Sequence, residues 1–166
     1  MSTASDRPVA LTKQHHARAL AARERKREEA SARGIDADYI AGFVEAFYAR
    51  IRGDALLGPI FAARITDWPL HLERMKTFWR SILLGSGEYS GNPMERHLSL
   101  TGVGRDHFAH WLELFHATLR DLEPSAEATA ETAQRARMIA DSLLTAIAMR
   151  DEGLAGARAG ESLPRL

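Results

Sequence analysis

The stretch Tyr89-Ser90-Gly91-Asn92-Pro93-Met94-Glu95-Arg96-His97-Leu98 decides how this chain is read. Ser90, Gly91 and Asn92 break the backbone into a turn. Pro93 then suits the first position of a short helix, and His97 follows one helical turn later. An imidazole on a short segment, braced by a turn, makes a fixed metal ligand. Its other ring nitrogen can donate to the carbonyl one turn back, which sets the tautomer. The plainer alternative is a structural histidine among apolar neighbours. The surrounding sequence has to separate the two.

Upstream, Asp67 is placed to cap a helix with Trp68-Pro69 in its first turn, where proline is tolerated. Trp68, His71, Leu72, Met75, Phe78, Trp79, Ile82 and Leu83 share one face of it. His71 falls about 40° from Met75 at helical spacing, so it points inward, while Arg74 lies about 100° off the stripe on its shoulder. Gly85 ends the helix, with Gly87 after it. Before it, Leu56-Leu57-Gly58-Pro59-Ile60-Phe61 is too broken for a long helix and reads as an apolar connector inserting into the core. Further upstream, Asp36 or Asp38 can cap a helix in which Ile40, Phe43, Val44, Phe47, Tyr48 and Ile51 follow the i, i+3, i+4, i+7 pattern. Tyr48 lies inside that stripe, so its hydroxyl needs an interior partner. A core tyrosine bonded to a backbone carbonyl would satisfy the same pattern. Gly53-Asp54 stops the helix.

Downstream, Gly102 and Gly104 lead to a helix expected to be capped by Asp106. Its buried face is Phe108, Trp111, Leu112, Phe115, Leu119 and Leu122, with the Trp111 indole N–H at the edge. Pro124 closes it. Ser125 can cap a last, alanine-rich helix reaching about Arg150, with Met138, Ile139, Leu143, Ala146 and Ile147 on its apolar side. Gly153 stops that helix.

Residues 1–34 differ from the rest. Arg23, Arg25, Lys26 and Arg27 interleave with Glu24, Glu28 and Glu29 among alanines. The composition favours helix. The few sizeable apolar residues, Val9, Leu11 and Leu20, make no burying face, so a solvated charged extension is expected. The domain then spans 35–150, and residues 151–166 read as a flexible Gly/Ala/Arg tail.

The totals narrow the function. At 166 residues and 45% hydrophobic, the chain supports one domain with a proper core. Its 22 basic and 22 acidic residues cancel, which argues against a nucleic-acid or membrane-surface role. The absence of cysteine excludes disulfides, zinc-thiolate sites, iron–sulfur clusters and thiol catalysis. No apolar run reaches the roughly 18–20 residues of a membrane span. The first residues lack the apolar core of a signal peptide, so a cytoplasmic protein is expected. There is no strand alternation, internal repeat or Gly-rich phosphate loop. The reading is an all-α domain of about four long helices plus short pieces.

Seven histidines raise the question of a metal site. His107, His110 and His116 lie on one helix but diverge around it, so they cannot close one site. No H-E-x-x-H motif and no pair of E-x-x-H motifs supports a zincin or di-iron centre. No Ser/His/Asp spacing suggests hydrolysis. What remains is Tyr48, His71 and Trp111 facing inward from three helices, with His97 on a short fourth. Wet tips inside an apolar shell rich in Phe, Met and Leu suit a large flat cofactor. Met75, Phe78, Trp79 and Leu98 are the expected lining residues.

Phe47-Tyr48, Leu57-Gly58-Pro59-Ile60-Phe61, Trp68-x-x-His71, Phe78-Trp79, Tyr89-x-Gly91-x-Pro93, His97 and Phe108-x-x-Trp111 together resemble the group III truncated hemoglobins. The resemblance runs from about Ile35 to Arg150. It implies a truncated globin-like two-over-two helical sandwich around heme b. It implies His97 as the proximal iron ligand and Tyr48, His71 and Trp111 as the distal pocket. Phe61 matches a heme-wedging phenylalanine, and Arg74 is placed like a basic residue that meets a heme propionate. The chain departs from the pattern mainly by its N-terminal extension, to which the family assigns no role.

The expected function is therefore binding of O₂, NO and CO at a five-coordinate iron, with Tyr48 and Trp111 donating hydrogen bonds that slow O₂ release. His71 either gates and assists proton transfer or only lines the entrance. Plain binding and redox turnover, by nitric oxide dioxygenation or peroxide reduction, are not separable at this level. Turnover would need a separate reductase. A monomer or weak dimer is expected. The alternative from another class is a heme-free helical interaction module docking through its extension.

Overall fold

The computed structural model describes residues 7–122 and 124–166. Seven helices follow in order: α1 (Arg7–Ala32), α2 (Ala37–Gly53), α3 (Gly58–Ala62), α4 (Trp68–Leu84), α5 (Pro93–Leu98), α6 (Arg105–Leu122) and α7 (Ala126–Glu152). A 3₁₀ helix, Gly153–Ser162, closes the chain. Helix α2 packs against α4 and α6 against α7, and α2 with α6 joins the two pairs. This is the expected all-α, two-over-two arrangement.

Local signals set most boundaries. The Asp36 carboxylate accepts from Tyr39 N–H at 2.8 Å and starts α2. Asp67 accepts from Leu70 N–H at 3.0 Å and starts α4. Ser125 Oγ accepts from Ala128 N–H at 3.0 Å and starts α7. Each oxygen satisfies a donor the first helical turn leaves free. Gly85 ends α4 in the left-handed region at φ 66°, where a side chain would be strained. At Gly58 a Cβ would stand 3.1 and 3.2 Å from the carbonyl oxygens of Arg52 and Ile51. The absent side chain is what lets α3 fold tightly back on the end of α2.

The core is largely aromatic. Phe43 meets Trp79 and Phe115 edge to face at 5.2 and 5.6 Å, and Trp79 and Trp111 each stack on Phe115 at 5.4 Å. Phe43, Phe47 and Phe115 are fully buried, which stabilises by roughly 1.5–3 kcal/mol per side chain. On α7 the buried stripe is made of small residues, Ala128, Thr132, Ala133, Ala136 and Ala140, followed by Leu143, Leu144 and Ile147.

Several expectations are corrected. Asp106 does not cap α6. The Gly104 carbonyl accepts from the His107 and Phe108 N–H groups, and Gly104 N–H donates to His107 Nδ1 at 3.2 Å, so the glycine with His107 starts the helix. Met138, Leu122 and Leu56 turn out to solvent: Met138 lies off the buried stripe of α7, Leu122 is the last residue of α6, and Leu56 stands in the connector before α3. The C-terminal residues are not a loose tail. Leu163 is 3% exposed, and Arg137 donates to the carbonyls of Glu161 and Leu163. Gly156 and Gly160 press so close to Ala148 and Asp141 on α7 that a Cβ would overlap them. The glycines that read as looseness in the sequence are the condition for close packing.

The extension divides in two. Residues 11–29 are exposed throughout, as a helix without an apolar face should be. Ala30 and Ile35 are fully buried, Arg23 and Lys26 lie over Gly87 and Gly85, and α1 contacts α4. The last turns of α1 are thus part of the packed domain. Among the described residues no helix is long and apolar enough to cross a membrane.

Candidate functional site

Tyr48, Phe61, Trp68 and His71 meet as a ring cluster where α2, α3 and α4 converge. Tyr48 contacts His71 edge to face at 5.1 Å, Phe61 at 6.0 Å and Trp68 at 6.4 Å. Trp68 also meets His71 at 5.7 Å, and the Arg52 guanidinium lies 4.7 Å over the Trp68 ring. Phe47 links this cluster to Trp111, contacting Tyr48 at 5.1 Å and Trp111 at 5.2 Å. The structure thus connects all the expected distal residues, Trp111 through Phe47.

The polar tips here are unsatisfied by protein. His71 Nε2 is buried without a hydrogen-bond partner. Among the described residues the Tyr48 hydroxyl makes no hydrogen bond to protein either. Burial pushes the Tyr48 phenol well above its ordinary range, with Tyr89 adding to the rise, so it stays an O–H donor. Burial likewise holds the His71 imidazole below its ordinary value, helped by the positive charges of Arg74 and Arg96. His71 is therefore neutral at neutral pH. A buried polar atom without a partner costs about 1–3 kcal/mol, so such tips signal a place for a further group.

On α5 the histidine is held as its sequence context predicts. Asn92 Oδ1 accepts from Glu95 N–H at 3.2 Å and starts the helix, and His97 Nδ1–H donates to the Pro93 carbonyl at 2.7 Å. This leaves Nε2, which takes no hydrogen bond from the described residues, as the free lone pair. Burial lowers the His97 pKa, opposed by the Pro93 bond, so the ring is in the neutral form that ligates metal. Phe108 packs against it at 6.5 Å.

The expected lining residues divide. Met75, Phe78 and Leu98 are partly buried against the core and retain free surface. Trp79 does not: it is 3% exposed between Phe43, Phe78 and Phe115. It belongs to the core and offers little surface to a ligand. Arg74 is exposed on its helix shoulder, as expected. The other histidines go separate ways. His110 pairs with Asp54 at 2.6 Å, His107 starts α6, and His116 is buried with an unpartnered Nε2. No cluster of metal-binding side chains forms among the described residues.

Residues 31–145 match the sequence model of the bacterial-like globins. The chain belongs to the bacterial-like globin family. Within it, the globin is 37% identical over 110 residues to the group 3 truncated hemoglobin of Campylobacter jejuni, a match covering 64% of this chain and 86% of that one. The crystal structure of group III truncated hemoglobin from Campylobacter jejuni superposes with a TM-score of 0.64 at 36% identity, over 68% of this chain and 91% of the other. The globin is thus a group III truncated hemoglobin. Membership carries heme-based gas binding as its general activity.

The residues of this globin fit a heme. A neutral imidazole with one nitrogen tied and one free would supply a nitrogen donor to its iron. Buried, unpartnered His71 Nε2 and the neighbouring Tyr48 hydroxyl, which makes no hydrogen bond to the described residues, supply groups for a small polar ligand. Sequence reasoning missed Arg96, whose charge reaches His71 together with that of Arg74. It also left out of the site Arg52 on Trp68, and Tyr89, whose ring lies edge to face on Phe78 at 5.1 Å. Their side-chain directions depend on tertiary placement, and only Tyr89, in the motif Tyr89-x-Gly91-x-Pro93, carried a signal.

Proposed function

We propose that this protein binds heme b through His97 Nε2 and takes O₂, NO and CO as ligands, with slow O₂ release. The observation that carries the reading is the His97 ring, neutral, tied at Nδ1 to Pro93 O and free at Nε2. When bound, heme supplies the iron at which a diatomic gas coordinates. Met75, Phe78, Leu98 and Phe61 would contact its faces and edges, and Arg74 with Arg96 would meet its carboxylates.

The distal side chains define the ligand preference. Tyr48 O–H and Trp111 N–H are donors, and neither hydrogen-bonds to the described protein residues. Each bond to a strongly polarised ligand contributes about 1.5–3 kcal/mol. Two would slow release by about a hundredfold or more, since about 1.4 kcal/mol is a factor of ten. Neutral His71 lies edge-on to Tyr48 and can accept from its hydroxyl or donate to a ligand beside it. Such retention suits redox chemistry on the ligand, nitric oxide dioxygenation or peroxide reduction, with electrons from a separate reductase.

The test is direct. Protein purified with heme shows a Soret band, the ferrous unliganded form is five-coordinate, and the O₂ complex outlives that of a Tyr48→Phe, Trp111→Phe double variant. Colourless protein that does not take up added heme would sink the reading and favour a heme-free helical module.

A further inference from the structure

We propose that Arg150 is a positioning residue for His97, holding the C-terminal end of α5 so that the imidazole keeps one orientation. The inference rests on the reading of His97 as the heme ligand.

Helix α5 has six residues, too few to be stable on its own. Its N-terminal end is secured locally by Asn92 and by the His97–Pro93 bond. At its C-terminal end Ser99 N–H donates to His97 O and Ser99 Oγ to Arg96 O, but among the described residues the Leu98 and Leu100 carbonyls have no such local partner and need donors from elsewhere. Arg150, in the last turn of α7, supplies them. Its Nη1 donates to Leu98 O at 2.5 Å and to Leu100 O at 2.7 Å. The other edge of the guanidinium, Nε and Nη2, donates to both carboxylate oxygens of Asp151 at 2.6 and 2.8 Å. That fork fixes the plane of the guanidinium. Leu100 N–H in turn donates to His97 O at 3.0 Å. The carbonyls of His97, Leu98 and Leu100 thus form one tied group, and among the described residues Arg150 is the only donor from another long helix that reaches it. The cation also sits at the end of α5 where the helix dipole is negative.

The geometry has a functional consequence. His97 is held about its own turn by Pro93, but the turn itself is located by α7 through Arg150. Releasing the clamp lets α5 tilt, and the ring with it, while the rest of the domain stays packed.

The test is resonance Raman spectroscopy of the ferrous, unliganded holoprotein, reading the iron–histidine stretching band. Arg150→Gln is expected to move that band to lower wavenumber and broaden it. Heme transfer to an excess of apomyoglobin should speed by about tenfold, which is about 1.4 kcal/mol. Arg150→Lys keeps the charge and donors to the carbonyls and should restore most of the wild-type band. Asp151→Asn leaves the guanidinium in place but loosens its plane, so a smaller shift in the same direction is expected. It decides the question if Arg150→Gln does not fold. A band of wild-type position and width in Arg150→Gln, or in Asp151→Asn if that variant must decide, would overturn the proposal even if the melting temperature fell. A band that survives His97→Ala would overturn the assignment of His97, and this inference with it. A shift confined to the Arg150 and Asp151 variants, with the band lost in His97→Ala, supports both.

Discussion

Tyr48 and His71 meet edge to face at 5.1 Å, with His71 Nε2 buried and unpartnered. Two polar groups brought this close without bonding to the described protein residues make the cluster costly unless a ligand completes it. Tyr48→Phe and Trp111→Phe are each expected to speed O₂ dissociation by roughly 5–150-fold, the equivalent of about 1–3 kcal/mol for one lost donor. CO dissociation should change little, because CO accepts hydrogen bonds weakly. The two effects should not simply add, since the remaining donor can reorganise. Stopped-flow displacement of O₂ and CO decides. Equal acceleration of both gases would indicate a steric gate instead.

His97→Ala should abolish stable heme retention while leaving helicity near wild type. The α5 segment contributes no fully buried side chain, so the core does not depend on it. Far-UV circular dichroism and the Soret band read the two halves of this prediction. Retention of a normal Soret spectrum would remove His97 from the site.

Deletion of residues 1–20 should leave melting temperature and heme content unchanged, because the described side chains there, from residue 11, are exposed. Deletion through residue 32 removes buried Ala30 and the contacts of Arg23 and Lys26 with the end of α4. That larger truncation should lower the melting temperature by several degrees, about 4–8 °C per kcal/mol at the small end of domain size. A differential scan of both truncations provides the comparison.

Leu163→Ala should destabilise by about 2–4 kcal/mol, the usual cost of emptying a buried leucine site. It is 3% exposed and joins the hydrophobic core at the end of the 3₁₀ segment. Urea unfolding of the variant measures it. A change near zero would mean that the C-terminal residues do not dock on α7.

Acid should destabilise the protein through its buried histidines. Burial holds the pKa of His116 below the ordinary value, helped by Arg120 and opposed by Glu113. As pH falls through the ordinary imidazole range, near about 6.5, the unfolded chain gains a proton that folded His116 refuses, so stability falls. His116→Leu should be close to neutral at pH 7 and should shrink the stability lost between about pH 7 and 5.5. His110 has the opposite sign. Its bond to Asp54 raises its pKa, so its contribution is present below the ordinary imidazole pKa and is lost as pH rises through the folded value. His110→Gln should therefore cost more at about pH 5.5 than at pH 8. Urea titrations at these pH values test both signs.

The caps at Asp36, Asp67 and Ser125, the turn ending at Asn92 and the stops at Gly85 and Gly153 were all legible, because each acts within one helical turn of itself. The inward faces of α2, α4 and α6 were legible for the same reason. Asp106 misled because Gly104 and His107 make the same start by a less common route. Met138 and Leu122 misled because periodicity gives a helix's apolar side but not how much of it a neighbour covers. Trp79 carried the same signal as Phe78, and only the stack with Phe43 and Phe115 separates the core residue from the lining one.

The sequence by itself determined the long helices, the tautomer-setting turn before His97, and the inward direction of Tyr48 and His71. These depend on backbone geometry and contacts within a few residues. Tertiary structure alone decided that Arg150 reaches Leu98 and Leu100, that Arg96 joins Arg74 beside His71, and that Gly156 and Gly160 seat the C-terminal segment on α7. Those contacts join residues far apart in the chain. Long side chains and bare glycine backbones carry no periodic signal of the partner they will meet, so their roles exist only once the helices are packed.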